Sequence, residues 1–260
     1  MPFILVNQSK VFYIENKIRG TPLVFIHGWL GSSFEWIHQF CYFNSKEHII
    51  MLDLPGYGKS DKPKIKYSVE FFTNHILDFL KLLKYNEIIL IGHSLGGLIA
   101  QNIILQNQIS VKKLILISTP TSFIQSKKEK IRLLFFTLIF KLIYKIILKM
   151  IIRRILSIER ENRDFRKLYN NSLKIPKSIV LSTFKTMTSK FCLNKDLIKI
   201  FPPTLIIYGD KDPIINKSQT NEMDNLIPSS EIAVIKNCTH RVMVENHIKI
   251  NKLIENFITK

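Results

Sequence analysis

Short runs of apolar residues recur along this chain and are separated by longer, helix-like stretches. Five of these runs contain almost no polar side chains: Leu23–Ile26, Ile49–Leu52, and residues 88–91, 114–117 and 204–208. Strands of a parallel sheet have this composition because helices cover both of their faces. The alternation therefore predicts βαβ units, and with them an α/β fold in which helices flank a mostly parallel sheet.

Further segments complete the predicted fold. Residues 3–6 and 11–14 predict an antiparallel N-terminal hairpin, and residues 232–235 predict a last strand. Helices are predicted over residues 33–43, 68–83, 95–108 and 241–258, with Ser68 as the N-cap of the second. The stretch 121–201 breaks the alternation and is helical throughout by its composition. We therefore predict a core of residues 1–120 and 202–260, with a helical cap or lid inserted at 121–201.

Cysteine usage and the N-terminal sequence predict a compartment for the chain. Cys41, Cys192 and Cys238 are odd in number and follow no disulfide or metal-ligand pattern, which favours a reducing environment. The first ten residues have no basic segment and only a short apolar run, so they do not resemble a signal peptide. A cytoplasmic location is expected.

The net charge of +18 is the most unusual property of the composition. A basic chain can bind nucleic acid, an anionic membrane or an acidic protein. This chain is also rich in Ile, Asn, Phe and Tyr, which together with Lys is what AT-rich codons produce. We attribute most of the charge to that bias and expect no nucleic-acid partner, so only a local cluster would indicate a binding surface.

The segment Gly92-His93-Ser94-Leu95-Gly96 lies between a predicted strand and a predicted helix. A sharp turn in this setting places a serine hydroxyl above the sheet, and glycines on either side let the strand and the helix approach closely. The pattern predicts Ser94 as a nucleophile.

A serine hydroxyl becomes nucleophilic when a neighbouring base accepts its proton, and a carboxylate orients that base. Asp210 and Asp212 follow the predicted strand 204–208, and His240 follows the last predicted strand. The order Ser, carboxylate, His is the order found with this type of turn. Asp210 and Asp212 are both candidates at this point.

Acyl transfer also requires hydrogen-bond donors for the developing oxyanion. One predicted donor is the N–H of Leu95, the residue after the nucleophile. The other is the N–H of Trp29, because the loop His27-Gly28-Trp29 follows the strand Leu23–Ile26. Gly28 and Trp29 are accordingly predicted to contact the substrate.

Taken together, these segments resemble the α/β-hydrolase superfamily, in its serine carboxylesterase and lipase-like branch. The resemblance extends from about residue 11 to residue 258, with the insertion unmatched in detail, and rests on residues 27–28, 53–60, 92–97, 209–213 and 240–245. It implies Ser94 as nucleophile, Asp212 rather than Asp210 as the acid, and His240 as the base. The histidines that it leaves without this role are His27, His38, His48, His75, His93 and His247, and His93 is expected to point away from the nucleophile.

One position departs from the family pattern. Thr239 stands where relatives usually have Gly before the histidine, which puts the geometry of that loop in question.

The resemblance implies hydrolysis of a carboxylic ester through an acyl-enzyme, without a metal or an organic cofactor. Ser94 differs from the Asp that haloalkane dehalogenases and epoxide hydrolases have at this place. C–C bond hydrolysis stays open because it uses the same three residues. A non-catalytic homologue that binds a small molecule is a further alternative, against which the intact Ser, acid and His argue.

A phosphate-binding loop is excluded at Gly58-Lys59-Ser60. That motif requires Gly five residues before Gly58, where this chain has Asp53.

The insertion carries a polar stripe at every fourth position of an otherwise apolar stretch: Thr137, Lys141, Lys145, Lys149 and Arg153. A membrane span is disfavoured, because each central Lys costs about 2.5–3.5 kcal/mol while each Leu, Ile or Phe returns about 0.3–0.6 kcal/mol. A cap over the active site with a solvated stripe is favoured. In the third interpretation, Lys127, Lys128, Lys130, Arg132, Arg153 and Arg154 bind an anionic membrane surface or an acidic acyl-carrier protein.

The apolar composition of the predicted cap indicates a small-molecule or lipid-like ester substrate with a medium-chain acyl group. The presence of Trp29 after His27-Gly28 also resembles the carboxylesterases that act on pimeloyl methyl esters. For such an enzyme, an acidic carrier protein would be the partner.

Overall fold

The computed structural model describes residues 3–120, 146, 149–150, 175–188 and 195–260. Its centre is an eight-stranded sheet with the order β1-β2-β4-β3-β5-β6-β7-β8. Strands β3 to β8 are parallel, whereas β2 pairs antiparallel with β1 and β4. The strands are Phe3–Val6, Ser9–Glu15, Leu23–Ile26, Ile49–Leu52, Glu87–His93, Ser110–Ile117, Thr204–Gly209 and Ser230–Ile235. The predicted fold class and every predicted strand are confirmed.

The register of the parallel strands aligns the segments that follow them. Ile26 of β3 lies opposite Gly92 of β5, and His93 lies opposite Ile117 of β6. Gly209 of β7 lies opposite Ile235 of β8. The carboxyl ends of these strands therefore meet at one edge of the sheet, where ligands of open α/β sheets usually bind.

Helices cover both faces of the sheet. A 3₁₀ turn at Ser33–Trp36 leads into the first α-helix, and a second 3₁₀ turn spans Leu197–Lys199. The α-helices are α1 Ile37–Phe43, α2 Val69–Leu82, α3 Leu95–Gln106, α4 Lys177–Thr188, α5 Lys217–Leu226, α6 Val242–Glu245 and α7 His247–Thr259.

The predicted helix starts agree with the structure, but one predicted helix is divided in two. Ser68 caps α2 as predicted, because its hydroxyl accepts the N–H of Phe71 at 3.0 Å. The single helix predicted over 241–258 is wrong: Asn246, at φ −137°, separates α6 from α7. The side chain of Asn246 accepts the N–H of Lys249, and Asn competes in this way with helix continuation.

Helix α5 was not predicted. Its sequence is polar, and only Gln219, Thr220 and Met223 are buried, so it has no clear apolar period. A capping box starts it: Asn216 accepts the N–H of Gln219 at 3.0 Å, and Gln219 accepts the N–H of Asn216 at 3.2 Å. That pair was the sequence signal for this helix.

Most of the predicted insertion lies outside the described residues, including its stripe apart from Lys149, which is exposed. Helix α4 is the main described part. It buries Ile179, Val180 and Phe184, and its Ser182 hydroxyl accepts the N–H of Tyr67 at 3.0 Å. Among the helices that the structure describes, none has the length and apolar character to cross a membrane.

Helix α2 contains a buried histidine whose protonation is linked to folding. His75 is 3% exposed, and burial lowers its pKa to about 4 although Asp78 opposes the shift. The unfolded chain therefore binds more protons than the folded chain between pH 6.5 and about 4, and stability falls as the pH falls through this range.

We expect the free energy of unfolding of the wild type to decrease by about 3 kcal/mol more than that of His75→Leu between pH 7 and pH 4. Leucine has a similar volume and does not titrate, so the variant removes this linkage alone. Denaturant titrations at several pH values measure the difference. Parallel stability curves for the two proteins would contradict the assignment.

Candidate active site

Ser94 occupies the turn between β5 and α3 in a strained conformation. Its backbone angles are φ 50° and ψ −112°, a region that residues with a side chain rarely adopt. The N–H of Ser94 donates to the carbonyl of Ile117 at 3.0 Å, which fixes the turn against β6. This is the geometry of a nucleophile elbow, in which strain holds a serine hydroxyl above the sheet.

The two glycines of the elbow permit contacts that no side chain would allow. A Cβ on Gly92 would lie 2.5 Å from the carbonyl oxygen of Gly96. A Cβ on Gly96 would lie 2.2 Å from the carbonyl oxygen of Ile26. The first turn of α3 therefore packs directly on the end of β3, and this brings the elbow to the loop that follows β3.

His240 is joined to Asp212 by a hydrogen bond of 2.8 Å between Nδ1 and Oδ2. The other carboxylate oxygen of Asp212 accepts the N–H groups of Ile214 at 2.8 Å and Ile215 at 3.0 Å. Burial raises the pKa of Asp212, but the hydrogen bond and charge of His240 and the two N–H groups outweigh burial and lower it. Asp212 is thus a carboxylate that fixes the proton of His240 on Nδ1, leaving Nε2 as the basic nitrogen.

The neighbouring carboxylate and the other histidines have different surroundings. Asp210 is exposed, and Asp212 is the carboxylate that accepts the hydrogen bond from His240. His48 pairs with Glu15, and His38 stacks on His247 with 4.1 Å between ring centroids.

Two contacts fix the loop that carries His240. A Cβ on Gly209 would lie 2.2 Å from the carbonyl oxygen of Cys238, so this loop lies directly on the end of β7. Glu245 accepts the N–H of Thr239 at 2.6 Å and also binds the Thr239 hydroxyl. The threonine that departs from the family pattern is therefore held by a carboxylate from α6.

His93 lies between the elbow and this loop. Its Nε2 donates to the carbonyl oxygen of His240 at 3.0 Å, and the two ring centroids are 5.0 Å apart. The ring of His93 is buried, and its Nδ1 lies 2.6 Å from Oε1 of Glu35. His240 is thus placed beside the residue that precedes Ser94.

The loop after β3 is organised by a neutral histidine. Nε2 of His27 accepts the N–H of Leu54 at 3.0 Å, and Nδ1 donates to the carbonyl of Gly28 at 2.8 Å. Burial lowers the pKa of His27, which favours this neutral form. The N–H of Gly31 binds the same Gly28 carbonyl at 3.1 Å. In a trans peptide the N–H of Trp29 then points away from these partners.

The side chain of Trp29 contacts helix α4, within the predicted insertion. Its indole N–H donates to the hydroxyl of Thr183 at 2.9 Å, and its ring lies 5.7 Å from that of Phe184. Helix α4 therefore packs on the loop in which Gly28 and Trp29 were predicted to contact substrate.

Glu35 is the principal residue of this region that the sequence did not indicate. It is 2% exposed, and its Oε2 accepts the N–H of Gly28 at 3.1 Å. Burial raises its pKa, but the charges of His93 and Arg241 lower it to about 2, so it is ionised. Its only sequence signal is a carboxylate between two aromatic residues, Phe34 and Trp36.

Asp53 organises the Gly-rich turn after β4. Its two oxygens accept the N–H groups of Ser33 at 2.6 Å and Lys59 at 2.7 Å. Its Oδ2 would lie 2.0 Å from a Cβ on Gly58, whose φ is 49°. Asp53 thus fills the space beside this turn, which agrees with the exclusion of a phosphate-binding loop. Within the described residues, no cluster of three or more His, Cys, Asp or Glu side chains could hold a metal ion.

Comparison with known proteins agrees with this fold. The sequence profile of a family described as alpha/beta hydrolase fold matches residues 21–149. The chain is 30% identical to a pimeloyl-[acyl-carrier protein] methyl ester esterase of Wigglesworthia glossinidia brevipalpis, and the alignment covers 92% of this chain and 93% of that protein.

The chain is also similar to part of an epoxide hydrolase and, in fold, to an esterase of known structure. Over 114 residues the chain is 37% identical to epoxide hydrolase 4 of Mus musculus, which covers 43% of this chain and 32% of that protein. An esterase of Exiguobacterium antarcticum superposes with a TM-score of 0.87 at 23% identity, over 99% of both chains.

We expect Gly209→Ala to displace the loop that carries His240, because the new Cβ would overlap the carbonyl of Cys238. Nδ1 of His240 donates to Asp212 in the wild type, where we expect a slowly exchanging proton NMR resonance, and Gly209→Ala should lose that resonance. Asp210→Ala is the matched control, since its side chain is exposed next to Gly209 and should leave the resonance in place. Retention of the resonance in Gly209→Ala would show that the loop tolerates the extra atom.

Proposed function

The chain belongs to the α/β-hydrolase superfamily, and from this membership we propose that it is a serine hydrolase that cleaves carboxylic esters through an acyl-enzyme. The observation that carries the proposal is the hydrogen bond from His240 to the buried carboxylate of Asp212, formed beside the strained elbow that presents Ser94. A base with a fixed tautomer next to a serine at the carboxyl edge of the sheet is the arrangement that activates a hydroxyl for attack on a carbonyl.

In the first half-reaction, Oγ of Ser94 attacks the carbonyl carbon while Nε2 of His240 accepts the hydroxyl proton. The tetrahedral oxyanion receives hydrogen bonds from the N–H groups of Leu95 and Trp29. His240 then gives its proton to the leaving alkoxide, the C–O bond breaks, and the alcohol departs from the acyl-enzyme. Asp212 stays ionised throughout and stabilises the imidazolium that forms on His240.

In the second half-reaction, water attacks the acyl-enzyme and gives its proton to the same Nε2. The second oxyanion collapses, Ser94 recovers its proton from His240, and the carboxylic acid leaves. Each oxyanion donor contributes about 10²–10³ in rate in enzymes of this type. The fixed direction of the Gly28–Trp29 peptide supports the assignment of Trp29, because its N–H needs no reorganisation when the oxyanion develops.

We propose that helix α4 belongs to a cap over this site and that the acyl group is of medium length or lipid-like. Its contacts with Trp29 support the position of the cap, and the apolar composition of residues 121–201 supports the acyl group. The relative that acts on a pimeloyl carrier-protein ester supports an acidic acyl-carrier protein as partner. An anionic membrane surface is the alternative partner, and failure to pellet with anionic vesicles at low salt would exclude it.

Ser94→Ala should abolish labelling by a fluorophosphonate probe, because the probe reacts only with an activated serine. The folded wild type should be labelled at Ser94 and should hydrolyse p-nitrophenyl esters, with a maximum at one acyl-chain length. Mass spectrometry of the labelled peptide identifies the site. Absence of labelling in folded wild-type protein would overturn the hydrolase proposal.

Asp212→Asn should reduce kcat for a p-nitrophenyl ester by about 10⁴-fold, because an amide cannot hold the proton of His240 on Nδ1. Asp210→Asn is the matched control two residues away, and it should change kcat by less than about threefold because the Asp210 side chain is exposed. Steady-state kinetics of both variants measure the effect. A larger loss in Asp210→Asn would identify Asp210 as the acid instead.

A further inference from the structure

Glu35 and His93 contact three segments of the proposed catalytic site: the loop after β3, the elbow and the loop that carries His240. Oε2 of Glu35 accepts the N–H of Gly28 in the loop after β3. His93 is the residue before Ser94, and its Nε2 donates to the backbone carbonyl of His240. Nδ1 of His93 lies 2.6 Å from Oε1 of Glu35. These contacts therefore form one continuous series from Gly28 to His240.

The ring of His93 lies between two acceptor oxygens. Nδ1 faces a carboxylate oxygen and Nε2 faces a carbonyl oxygen, so both ring nitrogens face acceptors. A ring nitrogen can approach an acceptor at these distances only when it carries a proton. Glu35 is ionised, so a proton on both nitrogens of His93 would make the two residues a buried ion pair, and the inference below requires that protonation.

Other charged and titratable groups surround this pair. Nε of Arg241 lies 3.8 Å from Oε1 of Glu35, on the side of α6. The neutral His27 and the carboxylate of Asp53 lie on the side of the loop after β3, and His240 lies against the ring of His93. Arg241 and a protonated His93 would together compensate the charge of Glu35, which a buried carboxylate requires.

We propose that Glu35 and His93 are positioning residues that hold the oxyanion loop and the base loop in fixed relation to Ser94. The inference rests on the serine-hydrolase function proposed above. Glu35 fixes the N–H of Gly28, while His27 and Gly31 fix its carbonyl, so both sides of this residue are constrained. His93 fixes the carbonyl of His240, while Asp212 fixes its ring.

The chain offers a matched control for loss of a buried Glu–His pair. Nε2 of His48 lies 3.1 Å from Oε1 of Glu15, and both side chains are at most 6% exposed. This pair joins β2 to the start of β4, and Tyr85 donates to the same Glu15 oxygen at 2.5 Å. These residues lie at the opposite ends of the strands from Ser94, so Glu15 variants report the general cost of removing a buried carboxylate.

The kinetic test compares alanine and glutamine at both positions. Glu35→Ala removes the acceptor of the Gly28 N–H, and we expect it to lower kcat for p-nitrophenyl butyrate about 10²-fold, as a misplacement of about 1 Å would. KM should change by less than about threefold, because the lost contacts align the transition state more than they bind the ester.

Glu35→Gln should recover kcat to within about tenfold of the wild type. The glutamine oxygen can accept the N–H of Gly28, and its amide can donate to Nδ1 of a neutral His93. That neutral ring can still donate from Nε2 to His240. Glu15→Ala and Glu15→Gln should lower stability without changing kcat.

Each outcome bears on one proposal. If wild-type protein neither hydrolyses the ester nor reacts with a fluorophosphonate, the proposed function fails. If wild type reacts and Glu35→Ala matches it in kcat, the positioning inference alone is overturned. The same holds if Glu15→Ala loses as much kcat as Glu35→Ala, or if Glu35→Gln shows no recovery.

Nitrogen-15 NMR of the histidine rings tests the ion pair without reference to activity, including the case in which Glu35→Ala does not fold. At neutral pH both ring nitrogens of His93 should carry protons in the wild type, and Glu35→Gln should lose the proton on Nδ1. His27 serves as the internal comparison, because it should carry a proton only on Nδ1 in both proteins. An unprotonated ring nitrogen on His93 in the wild type would overturn the inference.

Discussion

The proposed site depends on the contact between the first turn of α3 and the end of β3. Gly96 lies so close to the carbonyl of Ile26 that any side chain would separate the two elements. This contact brings the strained turn at Ser94 next to the loop at Gly28, which belongs to a different strand. Without it, the proposed nucleophile and the proposed oxyanion donors would not share one space at the edge of the sheet.

Hydrogen bonds to backbone atoms connect this arrangement to the loop that carries His240. The carbonyl of Gly28 is bound by His27 and Gly31, and the carbonyl of His240 is bound by His93. Such contacts fix the orientation of peptide planes, and the side chains attached to those peptides are positioned as a result. A buried Glu35 links the two groups, so the loops are constrained by one network rather than separately.

The strands were predictable from the sequence because burial on both faces requires a run of apolar residues, which is a local property. The elbow was also predictable from a local pattern, because its two glycines and its serine lie within five consecutive residues. Helix α5 escaped prediction because it packs a polar surface, and the break at Asn246 depends on a side chain that caps a helix. Neither feature produces an apolar period.

The order of the residues was enough to predict the fold class, the position of Ser94 at a strand end and a short set of candidate partners for it. Tertiary structure decided that Asp212, and not Asp210, binds His240, and it alone joined Glu35 to His93. Apolar periodicity is a pattern of neighbouring residues and can be recognised in the sequence. A hydrogen bond between these side chains depends on distances of about 3 Å between segments that are far apart in the chain. Residue order constrains those distances only through the folded sheet.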